Sequence, residues 1–131
     1  VSQEPDSDYV EHESAHNFAL TVERVGNAIE VAGMKILARV DHAAGAKQVG
    51  ETMPPTLVLF YGNPKGGTPV MQATPKAALD LPLKVLIRET ADGKVLVAYH
   101  PIAPMLRRDG VSEEIATRLE PAQQLLAASI R

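Results

Sequence analysis

The chain has 131 residues, 45% hydrophobic and 22% charged, with a net charge of −3; that length suits one domain with a core of its own. The absence of cysteine excludes disulfides, thiolate metal sites and cysteine nucleophiles. Interspersed charge, with two Phe, three Tyr and no Trp, argues against nucleic acid, which needs a basic face or stacking platforms, and no stretch is long enough to span a bilayer.

The first eight residues, VSQEPDSD, are polar and acidic and read as a flexible leader ahead of a single domain over 9–131. A start at Val1 without Met fits either removal of a secretory signal or a trimmed chain. Of the two, a periplasmic or secreted location is taken over a cytoplasmic one.

Tyr9 to Ser14 alternates as a short strand. Asn17 can cap a helix in which Phe18, Val22, Val25 and Ile29 recur at helical spacing, with Gly33 as its stop. Met34 to Val40 reads as a strand with Ile36, Ala38 and Val40 on one face. Asp41 can cap a short helix from His42 to Val49, ended by Gly50. Thr56 to Tyr61 is nearly all apolar and reads as a buried central strand. Gly62 to Gly67 reads as a loop, followed by one helical turn over Thr68 to Ala73. Thr74-Pro75 opens a short helix to Leu79, on the pattern of a cap followed by proline.

Leu83 to Thr90 and Lys94 to Tyr99 flank Asp92-Gly93, a strong hairpin signal. A short helix through Met105 and Leu106 follows Pro101. Ser112 can cap a last helix, helped by Glu113 and Glu114 at its positive end. Ile115, Leu119, Leu126 and Ile130 mark its buried stripe, and Pro121 must kink or divide it. The order of elements points to an α+β fold, a single antiparallel-type sheet of about five strands with helices packed on it.

Several residue groups could carry chemistry. His12-Glu13-Ser14-Ala15-His16 fits the zinc-protease pattern H-E-x-x-H, which requires a helix to bring both histidines to one face. Here the five residues precede the helix cap. Strand spacing would hold His12 and His16 about 13 Å apart, too far for one ion. Gly62 and Gly67 stand five apart as in a phosphate loop, but Thr68 occupies the place of the required lysine. The segment can still serve as a tight turn with positive-φ glycines, shaped by Asn63. Alternatively it binds an anion or carboxylate through backbone N–H groups, Lys65 and Thr68.

His42, next to Asp41, is either an exposed residue at a helix start or a general acid or base. Asp80, between leucines, would pin the Gly62–Gly67 loop or stand beside His42 or Lys65 in a cleft. Arg107-Arg108 reads as a solvated helix end.

The stretch LVLFYGNPKGGTPVMQATPKAALDLPLKVLI, with Ala32-Gly33-Met34, Asp41-His42 and Val97-Ala98-Tyr99, resembles the domain of unknown function 302 family from about residue 10 onward. Asn63, Thr68, Asp80 and His42 keep the family's pattern, and Tyr61 departs from it. The resemblance implies a TATA-binding-protein-like α+β architecture and a homodimer. It carries no catalytic residue, and it places His42 above the other histidines as a candidate.

The leading expectation is a module that binds a small molecule or anion at Asn63–Thr68, with Lys65 supplying charge, Asp80 bracing and His42 bordering the site. It needs no cofactor and no resident metal. The alternatives are an enzyme using His42 with a carboxylate for proton transfer, and metal handling through His12, His16, His42 or His100.

Overall fold

The computed structural model describes residues 8–131; residues 1–7 of the expected leader lie outside the described residues. Five strands, β1 (Val10–Glu13), β2 (Lys35–Asp41), β3 (Thr56–Gly62), β4 (Leu83–Glu89) and β5 (Val95–Tyr99), form one antiparallel sheet in the order β1-β5-β4-β3-β2. Among the described residues there are six α-helices: α1 (Phe18–Val31), α2 (His42–Gln48), α3 (Pro64–Ala73), α4 (Ile102–Arg108), α5 (Glu113–Thr117) and α6 (Pro121–Ser129). A 3-10 helix covers Pro75–Asp80. The fold is α+β with a single five-stranded sheet, as the sequence indicates.

The core lies between one face of the sheet and the helices. Leu57, Leu59 and Tyr61 of β3, Leu83, Val85 and Ile87 of β4, and Val95 and Val97 of β5 are buried there with Val25 and Ile29 of α1 and Leu126 of α6. Asn17 caps α1, its side chain accepting from the Leu20 N–H at 2.8 Å. At the other end the chain leaves through Gly33 at φ 88°, a left-handed conformation that glycine adopts without penalty. The Ser14 and Thr21 hydroxyls, both buried, hydrogen-bond to each other at 2.7 Å, joining the end of β1 to α1. Arg24 Nε donates to the Ser129 carbonyl at 2.8 Å, joining α1 to α6.

The apolar run of β3 does not make it a central strand buried on both faces. β4 is central, and β3 alternates between buried and half-buried positions. Thr56, Val58 and Phe60 point to the sheet face without helices, because side chains alternate along a strand.

β2 also departs from strict alternation. Ile36 pairs with Tyr61 and Ala38 with Phe60, so a bulge at Leu37 places Ile36 and Ala38 on opposite faces. Ile36 packs toward α1, where a Cβ on Gly26 would lie 3.4 Å from its Cδ1. Leu37 is the extra residue, 54% exposed on the edge strand. A bulge re-aims a side chain in this way at the cost of one ladder position.

The segment expected as a Gly62–Gly67 loop is the start of a ten-residue helix. Asn63 Oδ1 accepts from the Lys65 N–H at 3.0 Å, and Pro64 takes the first helical position, where its missing N–H costs nothing. Gly66 and Gly67 lie inside the helix and neither they nor Gly62 has positive φ; that conformation occurs at Gly33, Gly50, Gly93 and Gly110. Gly93 turns the β4–β5 hairpin, closed by the Thr90 N–H to the Lys94 carbonyl at 2.7 Å. Pro121 divides the last helical region into α5 and α6, occupying the first turn of α6.

Candidate functional site

The β3–α3 junction, the bulge of β2, the start of β4 and the α5–α6 link line a half-open hollow of about 410 Å³. Its walls are Met34 and Leu37 from β2 and its approach, Met71 and the glycine face of α3, Leu81, Pro82 and Leu83, and Leu119 and Ala122. The Leu81–Pro82 peptide is cis. Asn63 and Thr68 contribute the polar side chains, and among the described residues no charged side chain lines the space. Such a volume with apolar walls and few polar groups matches the usual form of a small-molecule site.

The absence of Cβ atoms at Gly66 and Gly67 widens the hollow. A Cβ at Gly66 would lie 3.9 Å from Leu119 Cδ2, and one at Gly67 would lie 3.8 Å from Leu81 Cδ1 and 4.0 Å from Met71 Cε. These are ordinary contact distances, so neither glycine is required for packing. Their cost in helix propensity, about 1 kcal/mol each relative to alanine, is not offset by a close approach.

The structure brings Asn63 and Thr68 to this hollow and leaves Lys65, Asp80 and His42 outside its lining. Lys65 is exposed on the first turn of α3. His42 is exposed at the start of α2, bordering a separate depression on the open sheet face with Thr56, Val58, Phe60, Lys84 and Leu86. The Asp41 carboxylate accepts from the Ala44 N–H at 2.9 Å, serving as a helix cap. A lysine, a threonine and an acid therefore do not meet in one site.

Asp80 does not pin the start of α3; its partner is Asp109, beyond the end of α4. A hydrogen bond with Asp109 raises the Asp80 pKa most, burial and the Asp109 charge raise it further, and Arg108 and Lys84 oppose the shift. Asp109 Oδ2 is buried with no hydrogen-bond donor beside it. A raised pKa means the fold holds a proton that the unfolded chain releases, so stability falls as pH rises from the ordinary carboxylate range through the raised value. Asp80→Asn, which donates at every pH, should flatten this decline and raise the melting temperature at neutral pH. Melts of both proteins between about pH 4 and about pH 8 check this; parallel curves would contradict it.

The histidines are dispersed. His12 lies on β1 with its ring 6.4 Å from Tyr99, and His16 Nε2 is 2.8 Å from the Arg131 carbonyl oxygen. His100 Nδ1 contacts the Asp8 carbonyl. Among the described residues no group of three or more His, Asp or Glu is placed to hold a metal ion, and no hydrogen bond joins His42 to a carboxylate. At the end of α4, Arg107 makes a two-point pair with Glu113, at 2.6 and 2.8 Å. Arg108 lies 3.6 Å from Asp8.

Two groups of the site gave no sequence signal. Leu37 is indistinguishable from any strand leucine until the register of β2 is known. The walls from Leu119 and Ala122 come from a distant helix link whose position depends on the whole fold.

Comparison with known proteins gives two kinds of likeness. The chain is 40% identical over 115 residues to "Fluoride-specific ion channel FluC 1" of Brucella suis biovar 1 (strain 1330), a match covering 86% of this chain and 45% of that protein. The same identity and length relate it to "Fluoride-specific ion channel FluC 1" of Brucella abortus biovar 1 (strain 9-941), of which 43% is covered. The chain thus spans less than half the length of these relatives. In structure it is similar to the crystal structure of an uncharacterized conserved protein DUF302 from Bacillus stearothermophilus. The TM-score is 0.85 at 16% identity, over 94% of this chain and 98% of that one, which shows a shared fold. Residues 10–129, from β1 to the end of α6, match the family model described as domain of unknown function DUF302, and the chain belongs to that family.

Proposed function

We propose that this domain is a binding module for a small molecule, held in the hollow beside Asn63–Thr68. The observation that carries this reading is the hollow itself: about 410 Å³, walled by apolar side chains and kept open by two helical glycines with no packing reason to be there. Leu37, turned outward by the bulge and 54% exposed, gains cover from an occupant. The anion form of the reading has less support, because Lys65 is not in the lining.

The test is Gly67→Leu, which sends a side chain into the hollow and replaces a poor helix former with a good one. The variant should melt at or above the wild-type temperature and lose binding. A fragment screen followed by NMR shift mapping reads this out; wild-type shifts that cluster elsewhere, or that persist in Gly67→Leu, would refute the reading.

The Brucella relatives favour a second reading, in which this domain is an appendage working beside an ion-conducting part. Among the described residues no helix is long and apolar enough to cross a membrane. In this reading the ion channel named for those relatives belongs to the length that this chain does not span.

We also propose that two copies pair through the open sheet face. Val40, Val58, Phe60 and Leu86 form an apolar centre there that no helix among the described residues covers, with Lys84, Arg88 and Glu11 on the same face. Light scattering should report a dimer for the wild type and a monomer for Leu86→Glu; a wild-type monomer at all concentrations overturns it.

A further inference from the structure

We infer that the hollow at the β3–α3 junction selects a neutral molecule with an apolar body and a single carbonyl oxygen. This rests on the ligand-binding reading above and adds the chemical class. The argument starts from charge. Among the described residues no charged side chain lines the hollow, so an ionised ligand would lose part of its hydration without gaining a counter-charge, which is costly against apolar walls.

Donor chemistry narrows the class further. Asn63 Oδ1 accepts from the Lys65 N–H at 3.0 Å, and its NH₂ group makes no hydrogen bond among the described residues, so the side chain keeps an unpartnered donor at the hollow. Thr68 adds a hydroxyl that can also donate. An oxygen with two lone pairs and no proton of its own, a ketone, quinone or ester carbonyl, complements that pair. A ligand offering only donors would leave the Asn63 NH₂ unmatched.

Size sets the body. A space of 410 Å³ corresponds to roughly a dozen water-sized groups, enough for two fused rings or a medium alkyl chain. Met34, Leu37, Met71 and Leu119 supply its walls, and the two methionines can adjust to irregular shapes.

Three probes of nearly one shape separate the possibilities: 2-acetylnaphthalene (neutral carbonyl), 2-ethylnaphthalene (apolar) and 2-naphthoate (anionic). Titrations followed by NMR should show the ketone binding at least tenfold more tightly than either of the others. Asn63→Asp preserves the helix cap, since Asp and Asn cap equally well, and removes the NH₂ donor. It should reduce ketone affinity about tenfold and 2-ethylnaphthalene affinity by a clearly smaller factor. Thr68→Val should reduce ketone affinity by a smaller factor.

Equal affinity for the ketone and the hydrocarbon, or tighter binding of the naphthoate, overturns the carbonyl preference while leaving a binding hollow. No binding of any probe at the hollow overturns both the preference and the reading it rests on.

Discussion

Replacing Gln123 by leucine should destabilise the protein by about 2–4 kcal/mol, although the two side chains are similar in size and the site is apolar. Gln123 is 5% exposed and spans two backbone groups where β5 passes into α4. Its Oε1 accepts from the Ile102 N–H at 2.9 Å, and its Nε2 donates to the His100 carbonyl at 2.9 Å. The Ile102 N–H belongs to the first turn of α4, where no earlier carbonyl of the helix can receive it. Pro101, preceding it, offers no side-chain cap.

Leucine would leave both backbone groups without a partner, at about 1–3 kcal/mol for each buried one. Gln123→Glu retains the acceptor but sets a buried carboxylate against the His100 carbonyl, so at neutral pH it should cost at least as much as leucine. Urea denaturation checks the series: the midpoint should shift with the slope unchanged. A loss below about 1 kcal/mol for Gln123→Leu would show that water replaces the glutamine.

Gln123 also marks where sequence reading stops. On α6 the visible pattern is the apolar stripe through Leu126 and Ile130, both buried; Gln123, three residues before Leu126, falls on that stripe and the exposed Gln124 does not, but nothing local names the groups that Gln123 meets. Its role depends on β5 and α4 arriving beside it, a relation between residues 21 and 23 positions apart. Elements defined by local periodicity and by turn chemistry were legible: α1 with its Asn17 cap, the hairpin at Asp92-Gly93, and the break at Pro121. Relations across strands were not. The Leu37 bulge is set by pairing with β3, and the apolar outer face of β3 imitates a strand buried on both sides.

The start of α3 is an instructive miss. Asn63-Pro64 is a cap followed by proline, the same signal that marks Thr74-Pro75. The glycines at 66 and 67 lower helix propensity enough to suggest a loop instead. Tertiary packing overrides that deficit: Val70 is buried against the core, and Asn63 secures the first turn. Of the candidate site residues, those at the junction were identifiable as a sharp change of chain direction. The apolar nature of the hollow was not, because its walls come from four separate parts of the chain.

Tyr61 is the position where a single substitution should do most harm. It is fully buried at the end of β3, and its hydroxyl donates to the Ala122 carbonyl of α6 at 2.9 Å. Burial first, and the nearby Tyr99 second, push its pKa well above the ordinary tyrosine value, so the hydroxyl stays a donor at every pH at which the protein is studied. Tyr61→Ala removes an aromatic ring from a close-packed layer and should cost about 3–5 kcal/mol. That is a large part of the about 5–15 kcal/mol that holds a typical domain folded.

Tyr61→Phe isolates the hydrogen bond. It keeps the ring and leaves the Ala122 carbonyl unpartnered, for about 1–2 kcal/mol. Because Ala122 also lines the hollow, the phenylalanine variant should loosen that wall and weaken binding there, even though Tyr61 itself does not line the space. Denaturation midpoints give the first effect and probe titration the second. If Tyr61→Phe lowers stability but leaves affinity untouched, α6 is held in place by its other contacts, and the wall of the hollow does not depend on this bond.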